Sequence, residues 1–130
     1  MANRVEEIEQ ARVVRWSHNR EVREVLPALR WLHHSPNGGR RDGFTGAQMT
    51  ALGVKRGFPD LILPVASNGA PGLVIEMKSA TGATSPEQNE WLAHYTAQGW
   101  TTHVCRSAEE ARDAICNFLS TSPGACPALD

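Results

Sequence analysis

The chain has 130 residues, of which 41% are hydrophobic and 21% charged, with a formal net charge of −1. That length suits one domain of roughly 100–150 residues, able to bury a core without a metal or a cross-link. The near-neutral charge excludes a protein that coats nucleic acid by bulk positive charge, and no apolar run approaches the roughly 18 residues needed to cross a bilayer.

The N-terminus is charged through Arg4, Glu6, Glu7 and Glu9, unlike a secretory signal. Cys105, Cys116 and Cys126 are odd in number and widely spaced, with no CxxC pair. The expectation is a cytoplasmic protein with no membrane contact, bacterial or in the host cytoplasm if phage-encoded, whose three cysteines are free thiols.

Residues 5–17 place Val5, Ile8, Val13 and Trp16 near helical spacing among charged residues, which predicts an amphipathic first helix. Residues 19–27 read as helical turn or loop. The apolar, bulky stretch 28–34 reads as a strand, and it runs into the turn formers Ser35, Pro36, Asn37, Gly38 and Gly39. Residues 45–52 suggest a short helix, and Gly53 and Gly57 bracket the loop that follows. Arg40, Arg41, Lys55 and Arg56 against Asp42 leave this middle region a local excess of three positive charges.

A short buried strand is expected over residues 60–64, then a turn at 67–72 and a second strand at 73–79. Ser85 can cap a helix with Pro86 in its first position and Gln88 in the capping-box position, and Trp91, Leu92 and Tyr95 would form its buried face. That helix ends at Gly99. Residues 100–106 read as another strand, and Ser107 with Glu110 opens a last helix whose apolar face is Ala111, Ala114, Ile115, Phe118 and Leu119. The order predicts an α/β fold with a central mixed β-sheet flanked by helices, one domain over 1–120 and a flexible tail over 121–130.

Alternate residues of a strand point to opposite faces, so Glu76 and Lys78 share one face and Met77 the other. The hairpin between the two central strands can bring Asp60 near Glu76. Two close carboxylates repel unless a cation lies between them, and hard oxygen ligands with open water positions suit Mg²⁺ or Mn²⁺. Such a centre acidifies water and polarises a phosphodiester. Lys78 would orient and deprotonate that water or neutralise charge on the phosphorus, and the carbonyl of Met77 is a further candidate ligand.

Gly57-Phe58-Pro59-Asp60 followed by Glu76-Met77-Lys78 resembles the PD-(D/E)XK nuclease signature, and the surrounding residues resemble its VRR-NUC branch. The resemblance spans roughly residues 5–119 and includes Ser35 to Arg41, 85–92 and 99–106. It implies a restriction-endonuclease-like core and a structure-selective DNA endonuclease similar to homodimeric Holliday-junction resolvases. On this resemblance Asp60 and Glu76 are metal ligands, Lys78 the catalytic lysine and Gln88 the helix-borne glutamine. It also asks for a glutamate from the first helix, where Glu6 is favoured and Glu9 is the rival. Asn37, Arg40 and Arg41 would lie at the rim of the site and hold phosphates, with Lys55 and Arg56.

Each residue also has a plainer reading: Asp60 as a turn residue, Glu76 with Lys78 as an exposed ion pair, Gln88 as a capping glutamine alone. Trp31, Trp91 and Trp100 read as core, and His33 and His34 as packing or DNA contacts rather than metal ligands. The competing functions are a DNA-binding module with a weak or inactive site acting through a partner, and a small phosphoester hydrolase.

Overall fold

A computed structural model describes residues 4–35 and 46–130. Helix α1 (Arg4–His18) is followed by α2 (Arg20–Val25), a 3₁₀ turn (Pro27–Trp31), β1 (His33–His34), α3 (Gly46–Ala51), β2 (Leu61–Leu63), β3 (Leu73–Met77), α4 (Pro86–Ala97), β4 (Thr101–Cys105) and α5 (Ala108–Phe118). The four strands form one mixed sheet in the order β1-β2-β3-β4, antiparallel except for the parallel pair β3–β4. The α/β architecture agrees with the sequence.

Strand β3 is buried along its whole length. Leu73, Ile75 and Met77 face a core built with Val13 and Trp16 of α1, Leu29, and Ala111, Ile115 and Phe118 of α5. The opposite face of the sheet carries α4. A strand covered on both sides is expected to be apolar throughout, which makes Glu76, 1% exposed, the exception in it.

Strands β2 and β3 are joined by a tight turn in which Asn68 (φ 52°) and Gly69 (φ 79°) both take the left-handed conformation, as a type I′ turn requires. The Ser67–Ala70 pair flanking the turn is one residue out of step with the ladder that pairs Leu61 with Ile75 and Leu63 with Leu73, so the register shifts by one residue between the turn and the strands.

Three expectations are corrected. Residues 28–34 are not a strand: Pro27 opens a 3₁₀ turn, and only His33 and His34 pair with β2. A bulky apolar run is compatible with either state, and proline in the first position favours the helical one. Cys116 and Cys126 are not free thiols but form a disulfide, leaving Cys105 free and buried. Trp31 is not core; it is 55% exposed, with Arg30 stacked over its ring.

The segment read as a flexible tail contacts the body of the domain. Besides the disulfide, the Trp16 indole Nε1 donates to the carbonyl of Pro127 at 3.2 Å, and Leu129 packs against the core. Along α1 the apolar face is only partly covered, because Val5 and Ile8 stay about half exposed while Val13 and Trp16 are buried. Among the described residues, no helix is long and apolar enough to cross a membrane.

Candidate active site

The register of the β2–β3 hairpin places Asp60, the residue preceding β2, across from Glu76. Asp60 Oδ2 accepts a 2.8 Å hydrogen bond from the Met77 amide, which holds its carboxylate against the end of β3. The Asp60 carbonyl accepts from the Ser35 amide at 3.0 Å, continuing the sheet toward β1.

Glu76 is enclosed by the sheet, by α4 and by Lys78. Lys78 Nζ lies 3.7 Å from Glu76 Oε2, with only 11% of the lysine side chain exposed. Gln88 Nε2 donates to the same oxygen at 2.8 Å. Glu76 Oε1 is buried and meets no donor. Burial first, then the charge of Asp60 and a hydrogen bond with its side chain, push the Glu76 carboxyl up to about 9; Lys78 opposes the shift and Glu6 adds to it. At neutral pH and without a cation, Glu76 therefore keeps its proton.

Gln88 caps α4 and also contacts Glu76. Its Oε1 accepts from the Ser85 amide at 2.8 Å while Ser85 Oγ accepts from the Gln88 amide at 3.2 Å, completing the capping box of α4. With Oε1 so committed, the amide nitrogen is left to face Glu76.

The first-helix glutamates separate. Glu6 Oε2 accepts from the Ser79 amide at 3.3 Å, just beyond β3, and its charge reaches Glu76. Glu9 is engaged elsewhere: its Oε1 accepts from the Ala108 amide at the start of α5 at 2.9 Å, and it pairs with Arg12 at 3.1 Å. The structure brings together Asp60, Glu76, Lys78 and Gln88, with Met77 adjoining through its backbone, and sets Glu6 beyond them at the Ser79 amide. Lys55 and Arg56 are exposed on the loop leading into Asp60. Asn37, Arg40 and Arg41 lie outside the described residues.

Gly57 fixes this loop to α4. Its φ is +80°, and a Cβ there would come within 2.6 Å of the Glu87 carbonyl carbon and 2.7 Å of the Gln88 nitrogen. Only glycine permits the backbone of the Asp60 loop to touch the first turn of the helix that carries Gln88.

Two neighbours, Gln10 and Arg106, went unmarked in the sequence. His34 Nδ1 lies 3.1 Å from the Asp60 carbonyl and 2.7 Å from the Gln10 side-chain nitrogen, and its tautomer decides which it serves: protonated it donates to the carbonyl, unprotonated it accepts from Gln10. The signal for Gln10 was its position four residues after Glu6, on the same helix face. Arg106 Nη1 donates to the carbonyls of Ser79 (2.8 Å) and Gly82 (2.6 Å), tying down the loop after β3.

Among the described residues, no three His, Cys, Asp or Glu side chains stand as a ready-made metal cage. The donor set nonetheless suits a hard divalent cation, since Mg²⁺ is commonly held by one or two carboxylates with water completing its shell. The unpartnered Glu76 Oε1 beside Asp60 is what such an ion would satisfy.

No curated protein matches the chain. A solved structure described as a VRR_NUC domain protein aligns with a TM-score of 0.71 and 26% identity, covering 92% of this chain and 91% of that one. The family model described as the VRR-NUC domain matches residues 3–109. This chain belongs to the VRR-NUC family of nuclease-type domains.

Proposed function

We propose that this chain is a metal-dependent endonuclease that hydrolyses phosphodiester bonds in branched DNA, such as four-way junctions, as a homodimer. The observation that carries the reading is Glu76: a carboxyl 1% exposed, with one oxygen lacking any donor, set beside Asp60 and Lys78 in an otherwise apolar strand. Burying such a group costs stability that a structural role does not require.

Asp60, Glu76, the Met77 carbonyl and Glu6 are the proposed ligands of Mg²⁺ or Mn²⁺. The ion, when bound, supplies Lewis acidity toward the phosphodiester and acidifies water. Gln88 holds the Glu76 carboxylate in one orientation, and the Met77 amide does the same for Asp60. Lys78 offsets negative charge developing on the phosphate oxygens or orients the attacking water. Lys55 and Arg56, with Asn37, Arg40 and Arg41, grip the DNA backbone.

A two-fold dimer supplies two such centres, one for each strand of a junction, and the apolar side chains of Val5, Ile8, Val25 and Trp31 left exposed offer surface for it. Light scattering at micromolar concentration is expected to give twice the monomer mass, and a monomer refutes the dimer. The activity is tested by incubating the protein and a Lys78→Ala variant with labelled four-way junctions, flaps and linear duplex, with and without Mn²⁺. Cutting is expected only with the metal, on branched DNA in preference to duplex, and reduced at least about 100-fold in the variant. Metal-independent cutting, or equal cutting by the variant, refutes the mechanism.

A further inference from the structure

Against the loop that leads into Asp60 opens a pocket of about 270 Å³ whose described lining is Ser35, Gly53, Val54, Lys55, Phe58 and Trp91. Three of these residues are tied to the site. The Ser35 amide bonds the Asp60 carbonyl, Phe58 precedes Asp60 by two residues, and Trp91 lies one turn after Gln88 on α4. We infer that this pocket receives one unpaired nucleobase of the strand being cut, with Phe58 and Trp91 as its aromatic wall and Lys55 meeting an adjoining phosphate. The inference rests on the nuclease reading above and names how that site selects its substrate.

The aromatic wall is built before any ligand arrives. Trp91 Nε1 donates to the carbonyl of Arg56 at 3.0 Å, which fixes the indole. Phe58 meets the indole edge to face, with centroids 4.8 Å apart, and Tyr95 backs both rings at 6.0 and 6.1 Å. Trp91 and Phe58 are only partly buried, so these rings are not used up in the core. Their rigidity spares the ordering cost that a mobile side chain incurs on binding.

Size and charge point to the same occupant. The volume is below the roughly 300–1,000 Å³ of clefts for drug-sized ligands, which suits a single planar ring system. The lining is apolar and aromatic, with Lys55 as its cation, and this pairing of a stacking surface with a positive charge recurs where single-stranded nucleic acid is bound. A base inside a duplex has both faces covered by its neighbours. Swinging one out costs a few kcal/mol, least where the base is already unpaired. A pocket that takes an unpaired base next to the Asp60 loop therefore favours cutting at branch points over continuous duplex.

The test scans the strand near the mapped cut. Four-way junctions carrying a single abasic residue at successive positions are cut by wild-type protein with Mn²⁺. The same positions are separately labelled with 2-aminopurine and bound by Lys78→Ala protein without metal. One position is expected to lose about tenfold or more in cutting when abasic, and 2-aminopurine at that position is expected to change its fluorescence on binding. In Phe58→Leu and Trp91→Leu the abasic penalty should shrink to within about twofold. Because the scan itself uses wild-type protein, a variant that folds poorly does not block the test. Metal-dependent cutting with no sensitive position overturns the pocket and leaves the nuclease reading standing. Failure both to bind and to cut any DNA overturns the nuclease reading, and the pocket with it.

Discussion

The buried carboxyl of Glu76 makes stability depend on pH in a direction that can be worked out. Its value in the fold, about 9, lies above the ordinary 4.5, so the folded protein holds that proton more tightly than the unfolded chain. The stabilisation is fully present below about pH 4.5 and is lost as pH rises toward 9, at up to about 1.36 kcal/mol per pH unit. Between pH 4.5 and 7.5 the metal-free protein should lose as much as about 4 kcal/mol, which is roughly 15 °C of melting temperature for a chain of this length. Glu76→Gln mimics the protonated side chain in shape and carries no charge to desolvate. The variant should match wild type near pH 5 and exceed it by roughly 2–4 kcal/mol at pH 7.5 in chelator, while losing the proposed cutting activity. Urea denaturation of both proteins from pH 5 to 8.5, with chelator and again with Mn²⁺, measures this. Mn²⁺ should flatten the wild-type dependence, because the cation takes over the role of the proton, and should leave the variant unaffected. A difference between the two proteins that does not vary with pH, or a variant less stable than wild type at pH 8, refutes the reasoning.

Four further outcomes follow from the same contacts. Glu6→Gln should lower cutting by at least about 100-fold with little change in stability, whereas Glu9→Ala, which removes the acceptor for the Ala108 amide, should cost about 1 kcal/mol in denaturant with cutting retained. Gly57→Ala should destabilise by about 1–3 kcal/mol and impair cutting, since its Cβ meets the Glu87 backbone; Gly99→Ala, at φ +89° with open space around it, should lower stability alone. Gln88→Ala should cost about 1–2 kcal/mol in thermal melts through the lost capping box and the lost donor to Glu76, whereas Gln88→Glu should keep the cap but replace that donor with a carboxylate, leaving the protein more dependent on Mn²⁺ in the same melts. Reducing the Cys116–Cys126 bridge, which spans 10 residues, should lower stability by roughly 2–3 kcal/mol in melts with and without reductant.

The fold and the site were legible in the sequence to different depths. The β2–β3 hairpin announced itself because an Asn-Gly turn sits between two apolar runs, and turn chemistry acts locally. The Ser85 cap was legible for the same reason. The stretch 28–34 was not, because a bulky apolar run says only that it is buried, and the choice between strand and 3₁₀ turn is made by Pro27 and by how little of β2 remains to pair with. The Cys116–Cys126 bridge depends on the end of α5 and the C-terminal segment meeting in space, which spacing alone does not reveal. The aromatic side chains of α4 were assigned to the core because their helical spacing is that of a buried face. Trp91 instead stands at the edge of the covered region, half-buried against Phe58.

Glu6 and Glu9 differ in their surroundings in a way that no pattern of charges contains. The two residues are three apart on α1, close enough in angle that either could approach the sheet. What separates them is axial position: Glu6 lies level with Ser79, past the end of β3, whereas Glu9 lies level with the first turn of α5 and serves the free amide of Ala108 there. Charges near a helix start are favourable on any account, so composition treats the two alike. The distinction appears only when α1 is set against the sheet, and the same packing places Gln10, one turn on from Glu6, against His34 of β1. One face of α1 therefore meets the sheet twice, through a carboxylate at the end of β3 and an amide at β1. A shift of α1 along its axis by a single turn would exchange Glu6 for Glu9 or Gln10 at Ser79 and remove both contacts together. The core residues that lock α1 in place, Val13 and Trp16, are in this sense part of what positions the candidate active site.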